Sequence, residues 1–144
     1  MKTLTIGDLK ARIPIIQGGM GVGISLSGLA SAVANEGGIG VISAAGLGLL
    51  YKKLSPSNYT EAGNLGLAEE IRKAREKAKG IIGVNVMVAL SDFAELVKTS
   101  IAEKVDIIFS GAGLPLDLPS FLKKDSVTKL VPIVSSARAV RIIC

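Results

Sequence analysis

The stretch IPIIQGGMGVG at residues 13–23 decides the fold that we predict for this chain. It begins as an apolar, mostly β-branched run containing Pro14 and ends in glycines, which is the pattern of a buried parallel strand followed by a loop. The glycines leave the main chain accessible at the strand's carboxyl end, where α/β proteins bind their ligands. A side chain at Gly18 or Gly19 would push a flat or phosphorylated ligand away from the main-chain N–H groups. We therefore interpret the stretch as the first strand and first ligand loop of a barrel.

A helix and a second strand follow this loop. Apolar residues recur at helical spacing over residues 26–34, with Ser25 or Ser27 available as a cap and a glycine pair at 37–38 as a stop. Residues 39–43 then predict a short buried strand. Together these elements have the size of an ordinary strand-helix-strand crossover.

The alternation continues along the rest of the chain. Residues 4–12, before the first strand, predict a short lead-in helix or turn. Downstream we predict a helix at 65–79, a strand at 81–88, a helix from Ser91-Asp92 with Glu95 placed to close a capping box on Asp92, a strand at 105–109, a short helix after Pro119, a strand at 130–135 and a helix beginning near Ser136.

Five strand-helix units in strict alternation imply an α/β fold with a parallel sheet and right-handed crossovers. The sheet is either an open doubly wound one or part of a (β/α)8 barrel. Such a barrel usually needs about 250 residues, so a chain of 144 residues would hold about the first five of its units. We find no internal repeat and no linker, and treat residues 1–144 as part of a single domain.

The segment 52–63 is polar and predicts a long loop. Loops of this length inside a compact domain are uncommon and often act as lids or substrate loops. A tolerated surface insertion explains the same pattern equally well.

Composition excludes several classes of function. The formal charge is +5, but the basic residues are spread over predicted helix faces, and aromatic residues make up 3% of the chain. Neither a phosphate-tracking run nor a set of base-stacking rings is present, so we predict no nucleic-acid partner. Residues 13–35 are uncharged, but Pro14, Gln17 and several glycines divide them into strand, loop and helix, so we predict no membrane span.

Histidine is absent and the one cysteine, Cys144, is the last residue, so we predict no metal site, no internal disulfide and no cysteine nucleophile. The N-terminus carries an acid and has no long apolar core, which is untypical of a signal peptide. These features indicate a cytoplasmic enzyme.

Two common nucleotide-binding motifs are absent from the sequence. No Gly-x-Gly-x-x-Gly and no P-loop spacing occurs in any of the glycine-rich segments. Carboxylates do not cluster at the predicted ligand end, and Ser135 and Ser136 lack a base, so helix capping is the simpler interpretation of these serines.

Asn85 is the one polar residue in an otherwise apolar predicted strand. An amide in that setting must form hydrogen bonds or cost about 1–3 kcal/mol. It either pairs with main chain inside the barrel or binds a ligand at the strand's end, and the sequence favours neither.

Four segments stand out in order: Gln17–Gly21, Gly38–Ile42, Gly83–Asn85 and Gly111–Pro115. With these segments the whole chain resembles the nitronate monooxygenase family, formerly called 2-nitropropane dioxygenases, which also includes flavin-dependent enoyl-acyl-carrier-protein reductases. The resemblance implies a TIM barrel that binds FMN at the carboxyl ends of its strands. The implied cofactor-binding residues are Gly18, Gly19, Met20, Gly21, Asn85, Gly111 and Ser135, and Ala112 and Gly113 are implied to lie near the substrate.

The resemblance also implies a catalytic histidine, in a Gly-Gly-His motif beyond Cys144, and we therefore expect this chain alone to be an inactive N-terminal part of the enzyme. The expected activity is FMN-dependent oxidation of alkyl nitronates by molecular oxygen. The closest alternative is reduction of an enoyl thioester with NADH or NADPH. A non-catalytic half-barrel acting by association is the alternative from another class, and the expected partner is a second copy or the remainder of the barrel.

Overall fold

The computed structural model describes residues 2–143, so Cys144 lies outside the described residues. The strands are β1 (Leu4–Ile6), β2 (Leu9–Ala11), β3 (Ile39–Ser43), β4 (Ile81–Met87), β5 (Ile107–Gly111) and β6 (Lys129–Pro132). The helices are α1 (Ser27–Asn35), α2 (Leu47–Leu50), α3 (Tyr59–Lys77), α4 (Phe93–Ala102) and α5 (Ala137–Ile143), with 3-10 turns at Lys52–Leu54 and Leu118–Phe121.

Strands β3 to β6 form one parallel sheet in chain order. Its register places Ser43 beside Asn85, Asn85 beside Phe109, and Phe109 beside Val131. The predicted alternation of parallel strands and helices is confirmed for four of the five predicted strands, and the bounds of these four differ from the predicted ones by a few residues at most. Closure into a barrel stays a prediction.

The two faces of the sheet are covered differently because strand side chains alternate between them. Helices α1, α3 and α4 cover one face, where Ile42, Ile82, Val84, Val86 and Ile108 are buried. Residues Ile39, Val41, Ile107 and Phe109 point to the other face. Asn85 shares this second face because it alternates with Val84 and Val86 along β4.

The lead-in at residues 4–12 is a β-hairpin rather than the predicted helix or turn. Its two-residue loop contains Gly7 at φ +61°, a conformation that glycine adopts without strain. Leu4, Ile6, Leu9 and Ala11 all pack against the second face of the sheet. Asp8 forms an ion pair with Lys129, the first residue of β6, so the hairpin covers the amino ends of the strands.

The prediction of a long loop at residues 52–63 was also wrong. The 3-10 turn begins at Lys52 and α3 begins at Tyr59, so only residues 55–58 are irregular. Asn58 caps α3 by accepting a hydrogen bond from the Glu61 N–H at 3.0 Å. Gly48 contacts Tyr59, and Gly66 contacts Tyr51, with no room for a Cβ at either glycine. Close packing of α2 on α3 therefore replaces the expected lid or insertion.

Of the predicted capping residues, Ser136 caps α5, because its Oγ accepts a hydrogen bond from Ala139 N–H at 3.2 Å, whereas those of α1 and α4 do not cap their helices. Leu26 precedes α1 and Asp92 precedes α4, and neither helix start shows a side-chain cap hydrogen bond. Glu95 pairs with Lys98 instead of closing a box on Asp92. The N-terminus of α1 uses a distant carboxylate, described with the site below.

Gly40 sets how closely α1 lies on β3. A Cβ at Gly40 would overlap the main-chain carbonyl of Ala30, which cannot rotate away. We expect Gly40→Ala to destabilise the protein by about 1–3 kcal/mol. Gly28→Ala is the matched control, since Gly28 lies in α1 with nothing within 4 Å of its Cβ position, and should be neutral or stabilising by up to about 1 kcal/mol. Urea unfolding of both variants measures the difference, and equal effects would contradict this packing.

Candidate functional site

The glycine loop leaves the sheet and returns to it along the outer edge of β3. Ile39 N–H donates to Ile15 O at 2.9 Å, and Gln17 N–H donates to Ile39 O at 3.0 Å, so the predicted first strand does run beside β3. It forms a single parallel bridge, Ile16 to Ile39, and is not a full strand. The main chain leaves the sheet after Gln17 and rejoins it where Ser43 N–H donates to Ser25 O at 2.9 Å. Residues 18–24 therefore project from the carboxyl end of the sheet.

Gln17 and Ser25, which the sequence did not single out as site residues, hold this loop. Gln17 Oε1 accepts from Val41 N–H and Gln17 Nε2 donates to Val41 O, both at 3.0 Å. Ser25 is 1% exposed. Its Oγ accepts from the Gln17 amide and from Met20 N–H and donates to Gly18 O, each at 3.0 Å. The sequence offered one signal for the role of Gln17, which is that its amide stands alone at the end of an apolar run.

Gly19 lies directly against Asn85. A Cβ at Gly19 would overlap Asn85 Cβ and lie 3.2 Å from Val41 Cγ1. The absence of a side chain at Gly19 is therefore needed inside the protein, to leave room for Asn85 on β4. A Cβ at Gly21 would similarly lie 2.9 Å from Ala45 Cβ and 3.1 Å from Ser43 Oγ.

Gly18 is in open space, with nothing within 4 Å of its Cβ position, and the Met20 side chain is 63% exposed. Among the described residues, no hydrogen bond is formed by the N–H of Gly18 or Gly19 or by the Asn85 side-chain amide. The loop and Asn85 thus present polar groups with unused hydrogen-bonding capacity at the carboxyl end of β4.

The other predicted site residues gather at the ends of β5 and β6. Ala112, Gly113 and Ser135 line one cavity of about 430 Å³, and its remaining lining is apolar: Leu114, Ile133, Val134 and Ala139. A Cβ at Gly111 would lie 3.2 Å from Ile133 Cβ, and a Cβ at Gly113, whose φ is +148°, would lie 2.8 Å from Val88 Cβ. The structure thus places the predicted residues in two groups at the carboxyl ends of the strands. The first group lies beside β3 and β4, and the second beside β5 and β6.

A larger groove of about 830 Å³ lies elsewhere, between α4 and residues 120–127, and it contains none of the predicted site residues. Within residues 2–143 no three potential metal-ligating side chains cluster together. None of the described helices combines the length and apolar character needed to cross a membrane.

A buried carboxylate anchors α1 just behind the glycine loop. Glu70 on α3 is 4% exposed, accepts from Ser27 N–H at 2.6 Å and from the Tyr51 hydroxyl, and lies 3.6 Å from Lys73 Nζ. A negative charge at a helix N-terminus is stabilised by the helix dipole and by the free N–H groups there. This contact fixes the direction in which α1 leaves Ser25.

The environment shifts both acids of this cluster. Burial alone would raise the pKa of Glu70, but hydrogen bonds from Tyr51 and Ser27 and the charge of Lys73 outweigh it, so this pKa lies below the ordinary 4.5. Burial, and then the hydrogen bond to Glu70 and its charge, raise the pKa of Tyr51 to about 12. Glu70 is therefore ionised and Tyr51 neutral at neutral pH.

The family model for nitronate monooxygenase matches residues 2–144. The chain belongs to the nitronate monooxygenase family. Members of this family are flavin-dependent oxidoreductases.

Among solved structures, FabK from Thermotoga maritima is similar over 90% of this chain and 36% of its own, with 29% identity and a TM-score of 0.68. A point mutant of that FabK is similar over 90% of this chain and 38% of its own, with 32% identity and a TM-score of 0.71. No curated protein matches the chain. The chain thus spans little more than a third of the length of these structures.

We expect Glu70→Gln to destabilise the protein by about 1–3 kcal/mol at pH 7, because one acceptor oxygen and the charge at the start of α1 are lost. Since the pKa of Glu70 is lower in the folded state than in the unfolded one, its contribution is complete above the ordinary glutamate value and is lost as the pH falls below that value. The difference from the unsubstituted protein should therefore shrink on acidification.

Denaturant unfolding at pH values from 7 to about 3 measures this difference, over the range in which glutamate takes up its proton. Glu69→Gln is the matched control, because Glu69 is half-exposed and its one ion pair among the described residues is with Lys73 on the surface. It should cost less than about 1 kcal/mol at any pH. A Glu70→Gln penalty that does not change with pH would contradict the role of its charge.

Proposed function

We propose that residues 1–144 are the N-terminal part of an FMN-binding (β/α)8 TIM barrel, and that the enzyme oxidises alkyl nitronates with molecular oxygen. The observation that carries the proposal is the free main chain of Gly18 and Gly19 beside the unpaired Asn85 amide, at the carboxyl ends of parallel strands. Ligands of parallel α/β folds bind at this end.

The donor and acceptor set fits FMN. An isoalloxazine ring offers nitrogen and oxygen atoms along one edge, which suit main-chain N–H groups and one amide that can both donate and accept. Gly18 has the open space that a planar ring needs for close approach. In this proposal Gly18, Gly19, Met20 and Gly21 contact the ring with their main chain, and Asn85 hydrogen-bonds it.

In the same proposal, the cavity at the ends of β5 and β6 holds the substrate and contacts the side of the ring opposite the glycine loop. Gly111 and Ser135 would contact the cofactor, and Ala112 and Gly113 the substrate. The mostly apolar lining of this cavity suits an alkyl chain and excludes water from it. The family's proton-accepting histidine is placed outside this sequence, which contains no histidine.

Bound FMN would supply a two-electron acceptor that can afterwards react with oxygen. The residues of this chain would bind and orient the ring and keep the apolar part of the substrate out of water. We further propose that the protein is cytoplasmic and works as a homo-oligomer.

Reduction of an enoyl thioester by NADH or NADPH is the second candidate. It is favoured by the similarity to FabK, since FabK is a flavin-dependent enoyl-ACP reductase of this family. Both candidates use the same cofactor site, so they differ in what reduces the flavin.

The test uses the natural full-length protein, purified without denaturant and loaded with FMN. Under nitrogen, an alkyl nitronate should bleach the flavin absorption rapidly, while NADH and NADPH should not. Rapid bleaching by a nicotinamide and none by a nitronate would favour the enoyl reductase. If the protein carried no flavin and gained none with added FMN, both candidates would be refuted.

Asn85 tests the cofactor site separately from stability. We expect Asn85→Ala to weaken FMN binding about tenfold, the equivalent of about 1.4 kcal/mol, with little change in the unfolding free energy, because the amide has no partner among the described residues. Fluorescence titration and urea unfolding provide the two measurements.

Asn64→Ala is the matched control with the opposite pattern. The Asn64 amide accepts from Thr99 Oγ1 at 2.7 Å and donates to Thr60 O at 2.9 Å, joining α3 to α4 away from the site. This variant should lose about 1–2 kcal/mol of stability and keep its affinity for FMN. Weaker FMN binding by Asn64→Ala, or unchanged binding by Asn85→Ala, would count against the assignment.

A further inference from the structure

The outer edge of β3 is completed by a side chain at the point where the glycine loop begins. In a parallel pair, hydrogen bonds alternate regularly between the two main chains. Ile39 N–H to Ile15 O and Gln17 N–H to Ile39 O follow this pattern. Its continuation would be Val41 N–H to Gln17 O and Gly19 N–H to Val41 O.

Gln17 makes both of these bonds with its side chain instead. Its Oε1 accepts from Val41 N–H and its Nε2 donates to Val41 O, each at 3.0 Å. A carboxamide has the same donor and acceptor as a peptide group, so it can replace one in a ladder. Because the edge of β3 is already satisfied, the main chain from Gly18 onward is released from the sheet without leaving buried groups unpaired.

Ser25 then fixes the shape of the released loop. Its Oγ binds Gln17 Nε2, Met20 N–H and Gly18 O together, so both ends of the Gly18–Met20 turn are held on one buried hydroxyl. The N–H groups of Gly18 and Gly19 stay free because no sheet or side-chain acceptor within the described residues takes them.

We infer that Gln17 is a positioning residue for the flavin: by taking the place of the main chain against Val41, it frees the Gly19 N–H for the cofactor. The inference rests on the proposed function and adds a role for two residues, Gln17 and Ser25, that do not themselves contact the ring. The inference also concerns Asn85, because a Cβ at Gly19 would overlap Asn85 Cβ, so the position of Gly19 decides the space left for the Asn85 side chain.

The test is Gln17→Glu in the natural full-length protein. A carboxylate keeps the shape and accepts from Val41 N–H, but it cannot donate to Val41 O, so that carbonyl becomes available to Gly19 N–H. We expect at least tenfold weaker FMN binding, by fluorescence titration, and a shifted visible flavin spectrum in the protein that still binds. Both are measured where unfolding curves show the protein folded, so lost stability does not contribute.

Asn35→Asp is the matched control, since the Asn35 amide donates to a main-chain carbonyl, Lys77 O, at 2.9 Å and far from the loop. It should leave both the affinity and the spectrum unchanged. If Gln17→Glu does not fold, Ser25→Ala replaces it, because it releases Met20 N–H and leaves Gly18 O to Gln17 Nε2, 2.7 Å away, while the Gln17–Val41 pair stays in place. The same tenfold loss is expected.

Three outcomes overturn the inference, and they can be told apart. Normal FMN binding and an unchanged spectrum in a folded Gln17→Glu, or in Ser25→Ala where that variant replaces it, would overturn the positioning role and leave the proposed function standing. Equal losses in Asn35→Asp would mean that the effect is not specific to the loop. Absence of FMN binding in the unsubstituted protein would refute the proposed function and this inference together.

Discussion

The main-chain groups along the outer edge of β3 must all be paired, and the way they are paired determines the shape of the candidate site. Three consecutive outward N–H groups, from Ile39, Val41 and Ser43, are taken by Ile15 O, Gln17 Oε1 and Ser25 O. The middle acceptor, Gln17 Oε1, belongs to a side chain. Because it takes the place of a main-chain carbonyl, the seven residues 18–24 can leave the sheet. An unpaired group at this buried edge would cost about as much as a lost hydrogen bond.

The glycines of the chain serve two different physical purposes, and contacts distinguish them. Gly40, Gly48, Gly66 and Gly19 have neighbours where a Cβ would be, so they allow close packing of strand, helix or Asn85. Gly18 has no such neighbour and is the position where an external group can approach. Not every glycine of such a loop is therefore there to admit a ligand. The main chain at Gly18, which the protein leaves open, is the best candidate for a direct cofactor contact.

The parallel sheet could be predicted from the sequence because its signals are local. Apolar β-branched runs at β3, β4 and β5 alternate with helical periodicity, and each run is bounded by glycine or polar residues. The hairpin at residues 4–12 was missed, although Leu4, Ile6, Leu9 and Ala11 alternate as strands do, because three-residue strands carry little periodic signal. Its stability comes from packing on Val41 and Phe109, which are distant in sequence.

The errors within the helical regions also arose from long-range contacts. Ser25 or Ser27 was expected to cap α1 with its side chain, but the helix start is held by Glu70, which accepts from Ser27 N–H and lies forty-three residues further along. Residues 52–63 were expected to form a loop because Pro56 and the polar residues around it dominate the local pattern, whereas α2 and α3 are held there by tyrosine–glycine contacts. At the site, the sequence indicated Asn85 and the glycines but not Ser25, whose role depends on a loop shape that residue types alone do not specify.

We propose that the loop released by Gln17, together with Asn85, forms the flavin contact surface of this chain. Hydrogen-exchange mass spectrometry of the natural full-length protein, with and without saturating FMN, tests it most directly. We expect slower exchange in peptides covering residues 17–25 and 83–88 when FMN is present, and no change in α4. Protection confined to α4 and residues 120–127, with none in the glycine loop, would contradict it.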